Sequence, residues 1–237
     1  MPLLPDIATR RIESELMDAP SLAREPHRKA LRGLARINAV SRSAVSIWSV
    51  LHGRLGRRRG ETFRVLDIAC GGGDVAVALQ RLARRAGVPL QVDGCDVSAT
   101  AVSLATRYAE RRSLEMTFFE LDAIAGALPD GYDAMISNLF LHHLSRDDAV
   151  LLLKKMSEAA PTVVVNDLAR GPFGYAAALV GTRLLSRSPI VHTDGPRSVR
   201  AAFTLEEARW LVARAGLDGA RIEAVFPYRW RMDWGRS

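Results

Sequence analysis

Cysteine, lysine and aromatic side chains are what this chain of 237 residues has least of, and each shortage excludes a class of structure. With only Cys70 and Cys95, no disulfide framework can staple the fold, and a reducing, cytoplasmic compartment with both thiols free is expected. Lysine occurs only at Lys29, Lys154 and Lys155, so the formal net charge of +7 is carried by arginine. Aromatics make up 6% of the residues, too few for the stacking surfaces on which single-stranded nucleic acids are read. No apolar leader opens the chain and no run is long enough to span a bilayer.

What is present is a 48% hydrophobic composition, enough for one α/β domain of ordinary size with appended elements. The charge is uneven: residues 1–63 hold twelve Arg or Lys against six acids, a balance of +6, which leaves about +1 for the rest. The tract Arg57-Arg58-Arg59, flanked by Gly56 and Gly60, reads either as a solvated linker or as a contact for phosphate or anionic lipid. The dominance of arginine over lysine reflects coding bias as readily as a ligand, which disfavours a nucleic-acid partner and leaves transient contact with a membrane surface open.

The chemistry begins at Val65-Leu66-Asp67-Ile68-Ala69-Cys70-Gly71-Gly72-Gly73-Asp74, an apolar strand pattern that runs into a glycine cluster and then a helical pattern. Glycines there allow positive φ and bring main-chain N–H groups and the positive end of a helix against a ligand. Two cofactors compete. Gly71, Gly73 and Ala76 also fit the dinucleotide pattern, with Asp93 or Asp96 near the distance of a ribose-binding acid. The continuation separates them: a helix from Val75 to Ala86, a strand over 90–96 ending in Asp96, and a helix from Ser98 to Arg112. A strand over 116–123 then carries Asp122, and a fourth leads through Asn138 into Leu139-Phe140-Leu141-His142-His143-Leu144.

On these four successive strand ends the chain resembles the class I S-adenosylmethionine (SAM)-dependent methyltransferases. The resemblance implies a Rossmann-like, doubly wound, mostly parallel seven-stranded sheet with SAM as cofactor. It places Asp96 at the ribose, Asp122 and Ala123 at the adenine, and Asn138 as the closing wall, with Val97 also counted among the cofactor-binding residues. Asp67 with the Ala69, Cys70, Gly71 and Gly73 backbone would line the methionine moiety. Each acid also has a plainer reading as a helix N-terminal charge, and for Asp74 that reading leads.

The flanks read as additions to this core. Residues 1–60 form a helical cap, with a break at Ala19-Pro20 and an apolar stripe through Leu31, Leu34, Ile37, Val40, Ala44, Ile47, Trp48 and Leu51. It is expected over the mouth of the domain at 61–237, with Arg36, Asn38 and Arg42 as candidates for the cofactor carboxylate. After a buried fifth strand over 162–168, whose Asp167 is expected at the same rim, residues 170–203 read as an insertion that forms part of the substrate wall. Its apolar helix, with Phe173, Ala177, Val180 and Leu184 on one stripe, fits either a hydrophobic acceptor or burial against the core. A Thr-x-x-Glu capping box at Thr204 and Glu207 opens the last helix, and closing strands follow over 221–230.

A sulfonium is already an activated methyl donor, so positioning and a base for a phenolic hydroxyl are what remains for the protein. His143, just past the fourth strand end, is the first candidate base, and the family resemblance puts a histidine there. His142 is weaker, since an extended backbone would turn it away, and His192 in the insertion could approach from the other side. No metal ligands are assigned. The stretch 181–196 with Ala202-Phe203-Thr204 further resembles bacterial methyltransferases that accompany type III polyketide synthases and act on phenolic lipids, which implies O-methylation of a hydrophobic small molecule. The alternatives are an RNA methyltransferase, disfavoured because Asn138 is followed by Leu139-Phe140 rather than Pro-Pro-Tyr/Phe, a SAM-binding protein without catalysis, and a nicotinamide enzyme.

Overall fold

A computed structural model describes residues 7–19, 22–55 and 61–236; Pro20 and the Arg57-Arg58-Arg59 tract lie outside them. Seven strands form one sheet: β1 (Phe63–Ile68), β2 (Leu90–Asp96), β3 (Phe118–Glu120), β4 (Ala134–Asn138), β5 (Thr162–Leu168), β6 (Arg221–Val225) and β7 (Arg229–Gly235). Their spatial order is β3-β2-β1-β4-β5-β7-β6. The first five are parallel, while β7 runs antiparallel to both β5 and β6. The order reverses between β1 and β4, so a crevice opens there at the carboxyl ends of the strands, where open α/β sheets take their ligands.

The pleat divides the core between two faces. Leu66, Ile68, Met135, Val163 and Val165 point toward α5 (Arg146–Ala159) and α8 (Leu205–Arg214). Phe63, Val65, Ala134, Ile136 and Val164 point toward α2 (Ser43–Leu55) and α3 (Asp74–Ala86). The remaining helices are α1 (Arg24–Val40), α4 (Ala99–Glu110), α6 (Pro172–Leu185) and α7 (Pro189–Ala201).

Several local expectations meet the structure directly. The Thr204 hydroxyl accepts from the Glu207 amide and the Glu207 carboxylate from the Thr204 amide, completing the capping box that starts α8. Others are revised. The apolar stripe of residues 31–51 is two helices, because Arg42 adopts φ 55° and turns the chain between α1 and α2. The third strand is only Phe118–Glu120, which leaves Asp122 beyond it. Residues 189–201 form a helix despite Pro196 in its interior.

The insertion also differs from expectation in where it acts. Among the described residues none of 170–203 lines the central cavity. The apolar stripe of α6 faces outward, with Phe173 74% and Leu184 78% exposed. The inner side braces α1 and the N-terminal strap, residues 7–19, which α7 holds through hydrogen bonds from the Leu16 and Met17 amides to Asp194. The insertion therefore supports the wall from behind.

The turn from β1 into α3 depends on Gly73, which holds φ 73°, where a side chain is strained. A Cβ there would lie 2.8 Å from the Ala105 Cβ on α4 and 3.2 Å from the Phe118 ring. Gly73→Ala is expected to cost about 2–4 kcal/mol, from backbone strain and overpacking together, read as a shift in the chemical denaturation midpoint at unchanged slope.

Candidate active site

The crevice between β1 and β4 holds a cavity of about 520 Å³. Ala69 (φ 55°) follows β1 and Leu139 (φ 57°) follows β4, both non-glycine residues in the left-handed region, and both line it. Such strain persists where the surrounding structure over-determines it, commonly at binding sites. Here it swings the chain out of the sheet on each side of the switch point and leaves a floor of backbone at 69–72.

Asp67, Ala69, Cys70, Gly71, Asp96, Val97, Asp122, Ala123 and Asn138 all line this cavity, whereas Gly73 shapes the turn beneath it. The Asp96 carboxylate is fixed from both sides, by the Gly71 amide to Oδ2 at 2.8 Å and the Ser98 amide to Oδ1 at 2.9 Å. Asp122 is exposed, and its Oδ1 accepts from the Ala125 and Ile124 amides, which hold its carboxyl below the usual range. The Asn138 Oδ1 accepts from Asn166 Nδ2 at 2.7 Å, which turns its own amide nitrogen away from that bond. Asp93, the rival ribose acid, sits mid-strand and takes the Tyr132 hydroxyl at 3.1 Å, so it has no part in the cavity.

Asp67 is the unusual member. It is 1% exposed, and neither carboxylate oxygen has a hydrogen-bond partner of normal geometry. Burial, reinforced by Asp74 and Asp96, pushes its pKa well above the carboxylate range. A buried carboxylate without a partner, at the wall of a cavity, fits a cationic ligand, and the ammonium and sulfonium of SAM are both cationic. Asp96 beside the glycine floor fits the ribose hydroxyls. The site thus fits SAM on the chemistry of its own residues.

From the cap, the strap contributes Met17, Ala19 and Leu22, and α1 contributes His27, Leu31, Leu34 and Asn38. Of the three polar cap candidates only Asn38 reaches the cavity, donating to the Asp74 Oδ2 at 3.1 Å. Arg42 is exposed at the turn between the helices, because its left-handed backbone directs it away. Arg36 donates to the Leu185 carbonyl at 2.6 Å and braces α6 instead.

The histidines fall differently from the extended-backbone expectation. Leu141–His143 is a 3-10 turn, so His142 and His143 come to one corner with ring centroids 4.3 Å apart. His143 lines the cavity, with the Phe140 ring 6.1 Å away. His142 lies behind it, 3% exposed, and its Nδ1 donates to the Asp167 Oδ1 at 2.6 Å. Asp167 also accepts from the His142 and Leu168 amides and is buried, so it does not reach the rim. Burial favours neutral imidazole, but Asp167 and Glu15 outweigh it and raise His142 to about 10. His192 does not line the cavity; its Nε2 donates to the Ser186 carbonyl at 2.8 Å within the insertion.

Two residues of this corner carried no usable signal in the sequence. Glu15, in the strap, has its side chain 8% exposed, and its Oε1 lies 3.7 Å from His142 Nε2 and 3.9 Å from His143 Nε2. Burial alone would raise Glu15, yet the two histidines and the Ser198 hydroxyl bring it down to about 2. Arg229 is 2% exposed on β7 and donates to Ser43 and Asn38. Burial lowers its pKa to about 10 against the fields of Asp167 and Asp74, which leaves it a cation at neutral pH. An arginine in a closing strand gives no sign in sequence that it points inward.

Known proteins bear on the same region. Residues 65–160 match the family described as a methyltransferase domain. The chain is similar to a demethylmenaquinone methyltransferase of Thermus thermophilus, 42% identical over 73 residues, which are 30% of this chain and 31% of that protein. It is also similar to a ubiquinone biosynthesis O-methyltransferase of Cereibacter sphaeroides, 26% identical over 181 residues, 75% of this chain and 69% of the relative. The chain thus spans less than a third of the Thermus protein. Among solved structures it superposes on a magnesium protoporphyrin IX methyltransferase from Synechocystis with bound S-adenosylhomocysteine. That match has a TM-score of 0.58 at 18% identity and covers 93% of this chain and 91% of that one. A putative O-methyltransferase from Nostoc punctiforme gives 0.61 at 16% identity, over 87% and 60%. Residues 65–160 thus carry the match to a methyltransferase domain, and the seven-stranded sheet around them has the fold of these solved methyltransferases.

Proposed function

We propose that the chain transfers the methyl group of SAM to a hydroxyl of a small hydrophobic acceptor, a phenolic, polyketide-derived or quinone-like molecule. The observation that carries this reading is the single cavity that joins the SAM-binding floor to a corner of apolar side chains and His143. Met17, Leu22, Leu139 and Phe140 supply the apolar wall, and at about 520 Å³ the space is in the range that takes a cofactor or drug-sized ligand. The names of the Thermus and Cereibacter relatives, a menaquinone and a ubiquinone methyltransferase, support a quinone-like acceptor.

When bound, SAM supplies a methyl on a sulfonium and needs no further activation. Asp96 holds the ribose, Asp122 and Ala123 the adenine, and Asp67 the positively charged end. The strap and α1 exclude water. His143 faces the acceptor hydroxyl and takes its proton, which a phenol with a pKa of about 10 retains at neutral pH. Asn138 and the backbone after Ala69 orient the reacting groups, so positioning carries most of the rate.

Calorimetric titration with S-adenosylhomocysteine, with NADH as control, tests the cofactor; micromolar binding of the first alone is expected, and binding of NADH alone would overturn the reading. His143→Asn should leave that affinity within about threefold and slow turnover of a phenolic acceptor by roughly 10² to 10⁴. Lost cofactor binding would instead make His143 a packing residue. Asp67→Asn should weaken S-adenosylhomocysteine about 10- to 100-fold, the loss of a hydrogen bond to a charged group, while stabilising the ligand-free chain at neutral pH. The sign follows from a folded pKa raised above the unfolded value: the wild-type group loses stability as pH rises past about 4, so the gap between variant and wild type should open from there to pH 7 and close in acid. Melting curves across that range measure it.

A further inference from the structure

We propose that Glu15, His142 and His143 form a site for one divalent transition-metal ion, open on its cavity side to the acceptor hydroxyl. One ligand atom from each of the three lies within 4.8 Å of the others. The Glu15 Oε1 stands 3.7 Å from His142 Nε2 and 3.9 Å from His143 Nε2, too far for hydrogen bonds. Across a tetrahedral ion with bonds of about 2.0–2.1 Å, neighbouring ligand atoms stand about 3.4 Å apart, so both Glu15 distances need to close by only a few tenths of an ångström, while the two histidine nitrogens lie within 4.8 Å of each other.

The outer shell is already that of a metal-bound histidine. Such an imidazole usually donates its second N–H to a carboxylate, which fixes the tautomer and aims the other nitrogen's lone pair at the ion. Asp167 does this for His142 at 2.6 Å, and is itself pinned by two backbone amides. The Ser198 hydroxyl donates to Glu15 and orients the third ligand from α7. With Nδ1–H committed to Asp167, His142 turns its Nε2 toward the Glu15 carboxylate, so the place between them suits a cation, and a metal ion there would take the place of the Nε2 proton. Two imidazoles and one carboxylate suit zinc or iron(II) rather than magnesium or calcium, and three protein ligands leave a position vacant.

That vacant position faces the cavity. His143 is the partly exposed ligand, with 23% of its side chain accessible, and it lies on the cavity wall beside Phe140, while Glu15 and His142 are shielded. A phenolic oxygen binding there exchanges its O–H bond for an oxygen–metal bond and releases the proton to bulk water, with no change of oxidation state. The ion then lowers the hydroxyl pKa as it does that of bound water, and His143 acts as its ligand instead of as the base. This role rests on the O-methylation reading; the site itself does not.

The test uses the untagged full chain, stripped with a chelator and titrated with zinc by calorimetry, with cobalt(II) absorption as a probe of histidine ligation. One equivalent should bind with micromolar or tighter affinity. Glu15→Gln and His143→Asn should each lose at least about 100-fold, and Asp167→Asn about 10- to 100-fold. In each variant, unchanged S-adenosylhomocysteine binding certifies the fold. Absence of stoichiometric zinc, or zinc binding that survives the His142→Asn/His143→Asn double variant, would overturn the site and leave the corner an ion pair of Glu15 with a His142 imidazolium. Zinc binding without methylation of any phenolic acceptor would sink the O-methylation reading and spare the site; the reverse result would do the opposite.

Discussion

Negative charge buried at the carboxyl ends of parallel strands is the constraint around which this molecule is arranged. Asp67 lies near the end of β1, Asp167 near the end of β5, and Asp74 opens α3; the first and last line the cavity, and Asp167 lies behind it. Water cannot solvate them there, and an isolated buried carboxylate is too costly to leave charged. The chain answers each differently. Asp167 has an imidazole and two amides. Asp74 has the Asn38 amide and the field of Arg229, a guanidinium brought in by the last strand. Asp67 has no such partner, and in the proposed function the positive end of the cofactor would supply one.

The compensating groups come from far along the chain. Arg229 is on β7, the strand that runs against β5, so the antiparallel addition to the parallel sheet also delivers the counter-charge that two acids need. Its donors reach Ser43 and Asn38 and thereby tie the turn between α1 and α2 to the sheet. The cap is thus joined to the sheet by polar bonds as well as by apolar contact, and the positions of Asn38 and Asp74 are set together.

How much of this the sequence discloses follows from the range of the interactions. The glycine turn, Asp96 and Asp122 were legible because a strand end, a helix start and the amides between them lie within a few residues of one another. The capping box at Thr204 was legible for the same reason. Glu15, Arg229 and the role of His142 were not. Each gains its meaning from a partner more than a hundred residues away or from a turn, 141–143, whose 3-10 geometry brings together two side chains that alternation would separate. The reading of 170–203 rested on a signal of limited reach: an apolar stripe specifies that a helix has an apolar face, not which way the face turns, and that of α6 points outward, away from the central cavity.

The strap is bound by residues far along the chain. Arg10 donates to the carbonyls of Ala201, His142 and Leu144, and Leu16 and Met17 to Asp194, contacts that span between 132 and 191 residues of sequence. Loop closure over such distances is slow and uncompensated until the sheet and α7 exist. During synthesis the strap must therefore wait for α7, made 177 to 178 residues later, before it can dock, and the corner that holds Glu15 against the two histidines is assembled only then. The cofactor floor is complete before the chamber above it has a roof.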